Sequence, residues 1–118
     1  MTDQDIIDRY QELFDLSGVT TSQMQWGFQD VGLGWLPIME RLCIRLQSIA
    51  KPTFRLISVK EKLGSLRITF CGGSDAIREA VDAAKAEAML TCDQCGAAGA
   101  LREIDELWAV RCRKCAMG

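Results

Sequence analysis

Residues 92–115 read CDQCGAAGALREIDELWAVRCRKC and hold four of the chain's six cysteines. Two C-x2-C hooks, Cys92/Cys95 and Cys112/Cys115, flank sixteen residues. A C-x2-C turn is short enough to aim both sulfurs at one ion, and two hooks supply the four thiolates of a tetrahedral zinc site. Gly96 follows the first hook, where a residue without a Cβ lets the backbone fold around the metal. Ala100-Leu-Arg-Glu-Ile and Leu107-Trp-Ala-Val-Arg read as two short strands joined by Asp105-Glu106. This is the pattern of a zinc ribbon, a hairpin clipped by metal. The segment is too small to build a core alone, so metal is expected to supply much of its stability. Trp108 and Val110 are expected to cover the site or to dock it on the preceding helix.

Other uses of these cysteines fit less well. Disulfides belong to oxidising compartments. The N-terminal Met1-Thr-Asp-Gln-Asp has neither the basic nor the apolar region of a secretory signal. A redox C-x2-C needs a strand-to-helix setting that neither hook has. Catalytic zinc needs an open coordination position, and four thiolates leave none. No His-x-Glu or Cys-x-Glu of a zinc deaminase occurs. Iron suits four thiolates as zinc does. Cys43 and Cys71 stand apart and read as small buried hydrophobes.

The 118 residues include no histidine. That excludes Ser-His-Asp and Cys-His catalysis and a histidine-based pH switch. With no paired catalytic arrangement visible, the chain reads as a binding protein rather than an enzyme. No apolar run approaches the roughly 20 residues of a membrane-spanning helix. A cytoplasmic setting, in a bacterial cell or an infected host cell, is the expectation.

Outward from the cysteines, the chain reads as α+β. Residues 3–16 predict a helix through Ile6, Ile7, Tyr10, Leu13 and Phe14, capped by Thr2 or Asp3. Residues 36–50 predict a second, with Pro37 in its first turn and Ile38, Leu42, Leu46 and Ile49 as its stripe. Residues 54–60 and 65–71 predict two strands of an antiparallel hairpin that turns at 61–64, with Gly64 at positive φ. Residues 74–90 predict an Ala-rich third helix capped by Ser74. The expected architecture is three helices packed on a small antiparallel sheet (residues 1–90), followed by the ribbon (residues 91–118).

Two further features stand out. Trp26, Phe28 and Trp35 sit in the glycine-punctuated stretch 17–35, read either as a loop folded onto the core or as a surface for a protein partner. Formal net charge is −2, yet residues 51–71 carry Lys51, Arg55, Lys60, Lys62 and Arg67 against Glu61 alone. Lys60, Lys62 and Arg67 flank the predicted turn. They read as a solubilising edge, or as a surface for an acidic protein or nucleic acid. Four thiolates and one zinc ion would take the charge to about −4, which weighs against nucleic acid.

Gly34-Trp35-Leu36-Pro37-Ile38, the run Val59-Lys60-Glu61-Lys62-Leu63-Gly64-Ser65-Leu66-Arg67 and the cysteine segment occur in a recognisable order. Together they resemble a group of small uncharacterised proteins of bacteriophages, prophages and their bacterial hosts. That group pairs a "GW" helix start with a "KEK-[FL]-G-x-LR" hairpin and a terminal zinc-binding segment. It often has histidine where this chain has Cys115, and two glycines where this chain has Gly64-Ser65. Cysteine for histidine keeps zinc tetrahedral. The resemblance implies no enzymatic activity and a phage-linked setting in which the protein works by binding a host or phage partner.

Overall fold

The structure, a computed structural model, describes residues 2–14, 28–29 and 31–117. Helix α1 (Asp3–Arg9) starts on a reciprocal cap: the Asp5 amide donates to the Thr2 hydroxyl at 3.2 Å and the Thr2 amide to the Asp5 carboxylate at 2.8 Å. The α-helix is shorter than its apolar pattern predicts. Tyr10 leaves helical geometry, a 3-10 turn follows over Gln11–Leu13, and Phe14 is extended and bridges Leu56. Ile6, Ile7, Tyr10, Leu13 and Phe14 are nonetheless all buried. The apolar spacing sets which residues face inward, while the sheet sets where the helix stops.

Strand β1 (Phe28–Gln29) pairs parallel to β2 (Arg55–Lys62) beside Val59 and Lys60. Sequence reasoning gives no strand there, because two residues carry no readable periodicity. The first sheet is therefore mixed, in the order β1-β2-β3, and not purely antiparallel. Strand β3 (Ser65–Cys71) pairs antiparallel to β2. Glu61 and Lys62 lie in the strand, so the turn is only Leu63-Gly64, at φ 54° and 82°. Two positive φ values match the right-handed twist of a two-residue hairpin.

The register sorts the hairpin into two faces. Leu56 pairs with Phe70, Val59 with Ile68 and Glu61 with Leu66. Leu56, Val59 and Leu66 are buried, and Ile68 and Phe70 pack against the core. Arg55 pairs with Cys71, Ser58 with Thr69, Lys60 with Arg67 and Lys62 with Ser65, on the outer face. A register irregularity between Leu56 and Ser58 explains why β2 alternates poorly in sequence. Cys71 is exposed, against the expectation that it is a buried hydrophobe. Strict alternation from Phe70 puts it outside.

Helix α2 (Leu36–Ile49) follows a 3-10 turn at Leu33–Trp35 and buries Leu36, Ile38, Met39, Leu42, Cys43 and Leu46. Helix α3 (Asp75–Ala88), capped by Ser74, buries Ile77, Ala80, Val81, Ala84 and Ala88. Three alanines on that face let α3 lie close against α2. Arg9–Glu40 ties α1 to α2, and Arg41–Glu87 ties α2 to α3. Strands β4 (Ala100–Ile104) and β5 (Leu107–Arg111) form the second sheet, turning at Asp105-Glu106 as predicted, with φ 51° and 69°. Val110 of β5 belongs to the same buried cluster as the helices and the first sheet. A short helix α4 (Arg113–Met117), not foreseen in sequence, carries the last cysteine. Among the described residues, no helix is long and apolar enough to cross a membrane.

Candidate metal centre and adjoining surfaces

The four predicted ligands converge. The sulfurs of Cys92, Cys95, Cys112 and Cys115 all lie within 4.8 Å of one another. Cys95 Sγ and Cys112 Sγ, one from each hook, are 3.7 Å apart. Zinc–sulfur bonds of about 2.3 Å give a tetrahedron with edges of about 3.8 Å, so this spacing suits one four-coordinate ion. All six cysteines are free thiols. The arrangement fits a structural metal such as zinc.

Local backbone bonding builds each hook. The Cys92 amide donates to the Ala97 carbonyl at 2.7 Å and the Gly96 amide to the Cys92 carbonyl at 3.0 Å, with Gly96 at φ 82°. In the second hook the Cys115 amide donates to Cys112 Sγ at 3.4 Å. Burial raises the Cys92 thiol, but amides of Cys112, Cys95 and Gln94 outweigh it and hold the thiol down at about 6. The Cys115 amide lowers Cys112. Cys115 is pushed up, first by the Cys112 sulfur and then by burial. Four sulfurs this close without a cation cannot all ionise. A dication relieves that repulsion and takes all four as thiolates.

The hooks are unequally embedded. Cys92 is fully buried and Cys95 is exposed, with Cys112 and Cys115 between. The reason lies at the start of α2. The Gly34 amide donates to the Asp93 carbonyl at 2.9 Å, and Trp35 Nε1 to the Thr91 carbonyl at 2.8 Å. A Cβ at Gly34 would fall 2.1 Å from the Cys92 carbonyl oxygen, so only glycine fits there. Asp93 also donates its amide to Val110, and its carboxylate accepts from Arg111 Nε at 3.2 Å. Asp93 adjoins Cys92 and Arg111 adjoins Cys112, so this pair locks one hook to the other. Sequence reasoning gave neither residue a role; their positions beside the cysteines were the available signal.

This geometry corrects one site expectation. Trp35 has no exposed surface and is unavailable to a partner. Its indole fills the core while its N–H steadies the first hook, the loop-on-core alternative. Trp26 lies outside the described residues. Phe28 is placed by its backbone in β1. Lys60, Lys62 and Arg67 are exposed on the outer face of the hairpin.

The chain matches no protein-family model, no curated protein and no solved structure.

Trp108 is the aromatic residue that sequence reasoning misplaced. Expected to cover the site or to dock it on the preceding helix, it is instead 45% exposed. With Leu63, Leu107, Ala109, Glu61, Asp93 and Arg111 it lines an open groove of about 210 Å³ between the two hairpins. Leu63 and Leu107 are also exposed. Beside Leu63, Gly64 is buried, and a Cβ on it would stand 2.4 Å from Leu101 Cδ1 of the second hairpin.

Proposed function

We propose that this protein is a non-enzymatic binding module, held together by structural zinc, that engages a partner protein. The observation that carries the reading is the groove at the junction of the hairpins. Trp108, Leu107 and Leu63 present apolar surface to solvent around one opening. Aromatic and apolar side chains grouped at an exposed site favour a protein interface. The thiolate set supports a closed metal site that shapes this surface and takes no part in chemistry. The motif order, which resembles that of phage and prophage proteins, supports a bacteriophage-linked setting and a host or phage protein as the partner.

Two measurements test this. Metal analysis of purified protein should return one zinc ion per chain. A pull-down from bacterial lysate should recover a defined protein with the wild type, and Trp108→Ala should lose it with metal content unchanged. Equal recovery by both proteins, or by neither, counts against the groove.

A further inference from the structure

The outer face of the first hairpin is chemically one-sided. It carries Lys60, Lys62 and Arg67 with Ser58, Thr69 and Ser65 among them. Arg55 shares the face, with its Nη1 donating to the carbonyls of Pro52 and Phe54, and Arg67 Nε donates to the Ser65 hydroxyl at 2.8 Å. Lys60, Lys62 and Arg67 have no ion pair among the described residues. The acid of this stretch, Glu61, points to the other face and accepts the Gly64 amide at 2.7 Å. Lys60 and Lys62, two residues apart on one strand, are spaced by about 7 Å. Lys60 faces Arg67 directly across the ladder.

A solubilising role does not account for that last pairing. Like charges directly opposite one another destabilise a sheet, and single lysines would protect it equally well. The chain as a whole is acidic, so the cations are concentrated here against the general balance. In β2 Ile57 is also exposed, beside Ser58 at the register irregularity, but one aliphatic side chain is less than the apolar centre that protein interfaces carry. Among the described residues of β2 and β3 the face holds no aromatic side chain on which an unpaired base could stack. Cations and hydroxyls without a stacking group suit the phosphates of a duplex.

We infer that the outer face of the β2–β3 hairpin docks on the phosphate backbone of double-stranded nucleic acid, through Lys60, Lys62 and Arg67 and without regard to base sequence. This surface is separate from the Trp108 groove and goes beyond the partner-protein reading. Three phosphate contacts predict that log K falls against log salt with a slope of about −2.7, and that each cation removed costs about eightfold in 0.1 M salt.

The test is fluorescence anisotropy of a labelled 20-base-pair DNA duplex titrated with the zinc-loaded protein across a series of salt concentrations. Lys60→Gln should lower the slope magnitude by about one, as should Lys62→Gln and Arg67→Gln. Arg45→Gln, which removes an equal charge from α2, should leave the slope unchanged. A duplex of scrambled sequence should bind equally. The inference is overturned if no binding appears at low salt, or if Arg45→Gln weakens binding as much as Lys60→Gln. Tighter binding to the single strand overturns the duplex assignment. Competition by polyglutamate as effective as that by unlabelled duplex would assign the face to acidic proteins instead.

Discussion

The two hairpins share a turn and differ in what holds them. Leu63-Gly64 and Asp105-Glu106 both adopt positive φ at both central residues. The β2–β3 hairpin has an apolar face, and Leu56, Val59 and Leu66 bury it under the helices. The β4–β5 hairpin buries only Ala109 and Val110 and leaves Leu101, Leu107 and Trp108 exposed. A two-stranded ribbon with so little burial is marginal in water. The four-cysteine cluster at its base is suited to replace the missing core with metal bonds. One turn geometry thus appears on two different sources of stability, and each should fail under a different perturbation.

Metal removal should have the largest effect. Structural zinc contributes on the order of 10 kcal/mol in comparable sites, so chelation should release β4 and β5 while β2 and β3 stay protected. Hydrogen exchange with and without a chelator checks this. The amides of Gly34 and Trp35 should also lose protection, because their segment bonds to Thr91 and Asp93. Cys92→Ser should be more damaging than Cys95→Ser, since one sulfur is buried and the other exposed. Equal loss of protection in both hairpins would break the comparison.

Trp35→Ala comes next. Removing a fully buried indole should cost about 3–5 kcal/mol in denaturant melts. It should also lower zinc affinity, because the bond to the Thr91 carbonyl is lost. Unchanged zinc affinity would show that the first hook forms without the core.

Gly64→Ala probes the seam between the hairpins. Positive φ at residue 64 costs a residue with a Cβ about 1–2 kcal/mol, and the contact with Leu101 adds to it. Thermal melting checks the sum. Leu63→Gly, one residue earlier, should raise stability by up to about 1 kcal/mol, because Leu63 holds a left-handed conformation that suits glycine.

The smallest structural effect is the most selective chemically. Burial, helped by Glu40, pushes the Cys43 thiol up to about 12 from 9.0, so at pH 8 its thiolate is about a thousandfold scarcer than that of an ordinary cysteine. With metal bound, a thiol reagent should label Cys71 and spare Cys43. Mass mapping after a short pulse reads this directly. Labelling of Cys43 at the rate of Cys71 would show an open core.

Much of this was legible in the chain because it depends on local spacing. The four ligands came from two C-x2-C hooks, the ribbon turn from a pair of acids between apolar runs, and the third helix from its alanines and Ser74. What failed in sequence was non-local. The parallel pairing of Phe28–Gln29 with β2 joins residues about thirty apart. Neither the exposure of Trp35, left open between core and partner surface, nor that of Trp108, expected to be covered, could be read, for one reason. Periodicity gives a tryptophan's neighbours along the chain, while exposure depends on what packs from elsewhere. Trp35 meets Thr91, and Trp108 meets the tip of the other hairpin.

The sequence by itself determined the four-cysteine pattern, the longer helices and the two hairpins and the clustering of cations in one segment, since each follows from residue type and short-range geometry. Only the tertiary structure decided which thiol is buried, which tryptophan is available, and that Lys60, Lys62 and Arg67 share a face from which Glu61 is turned away. Those outcomes depend on strand register and on packing between distant segments, and no local spacing encodes them.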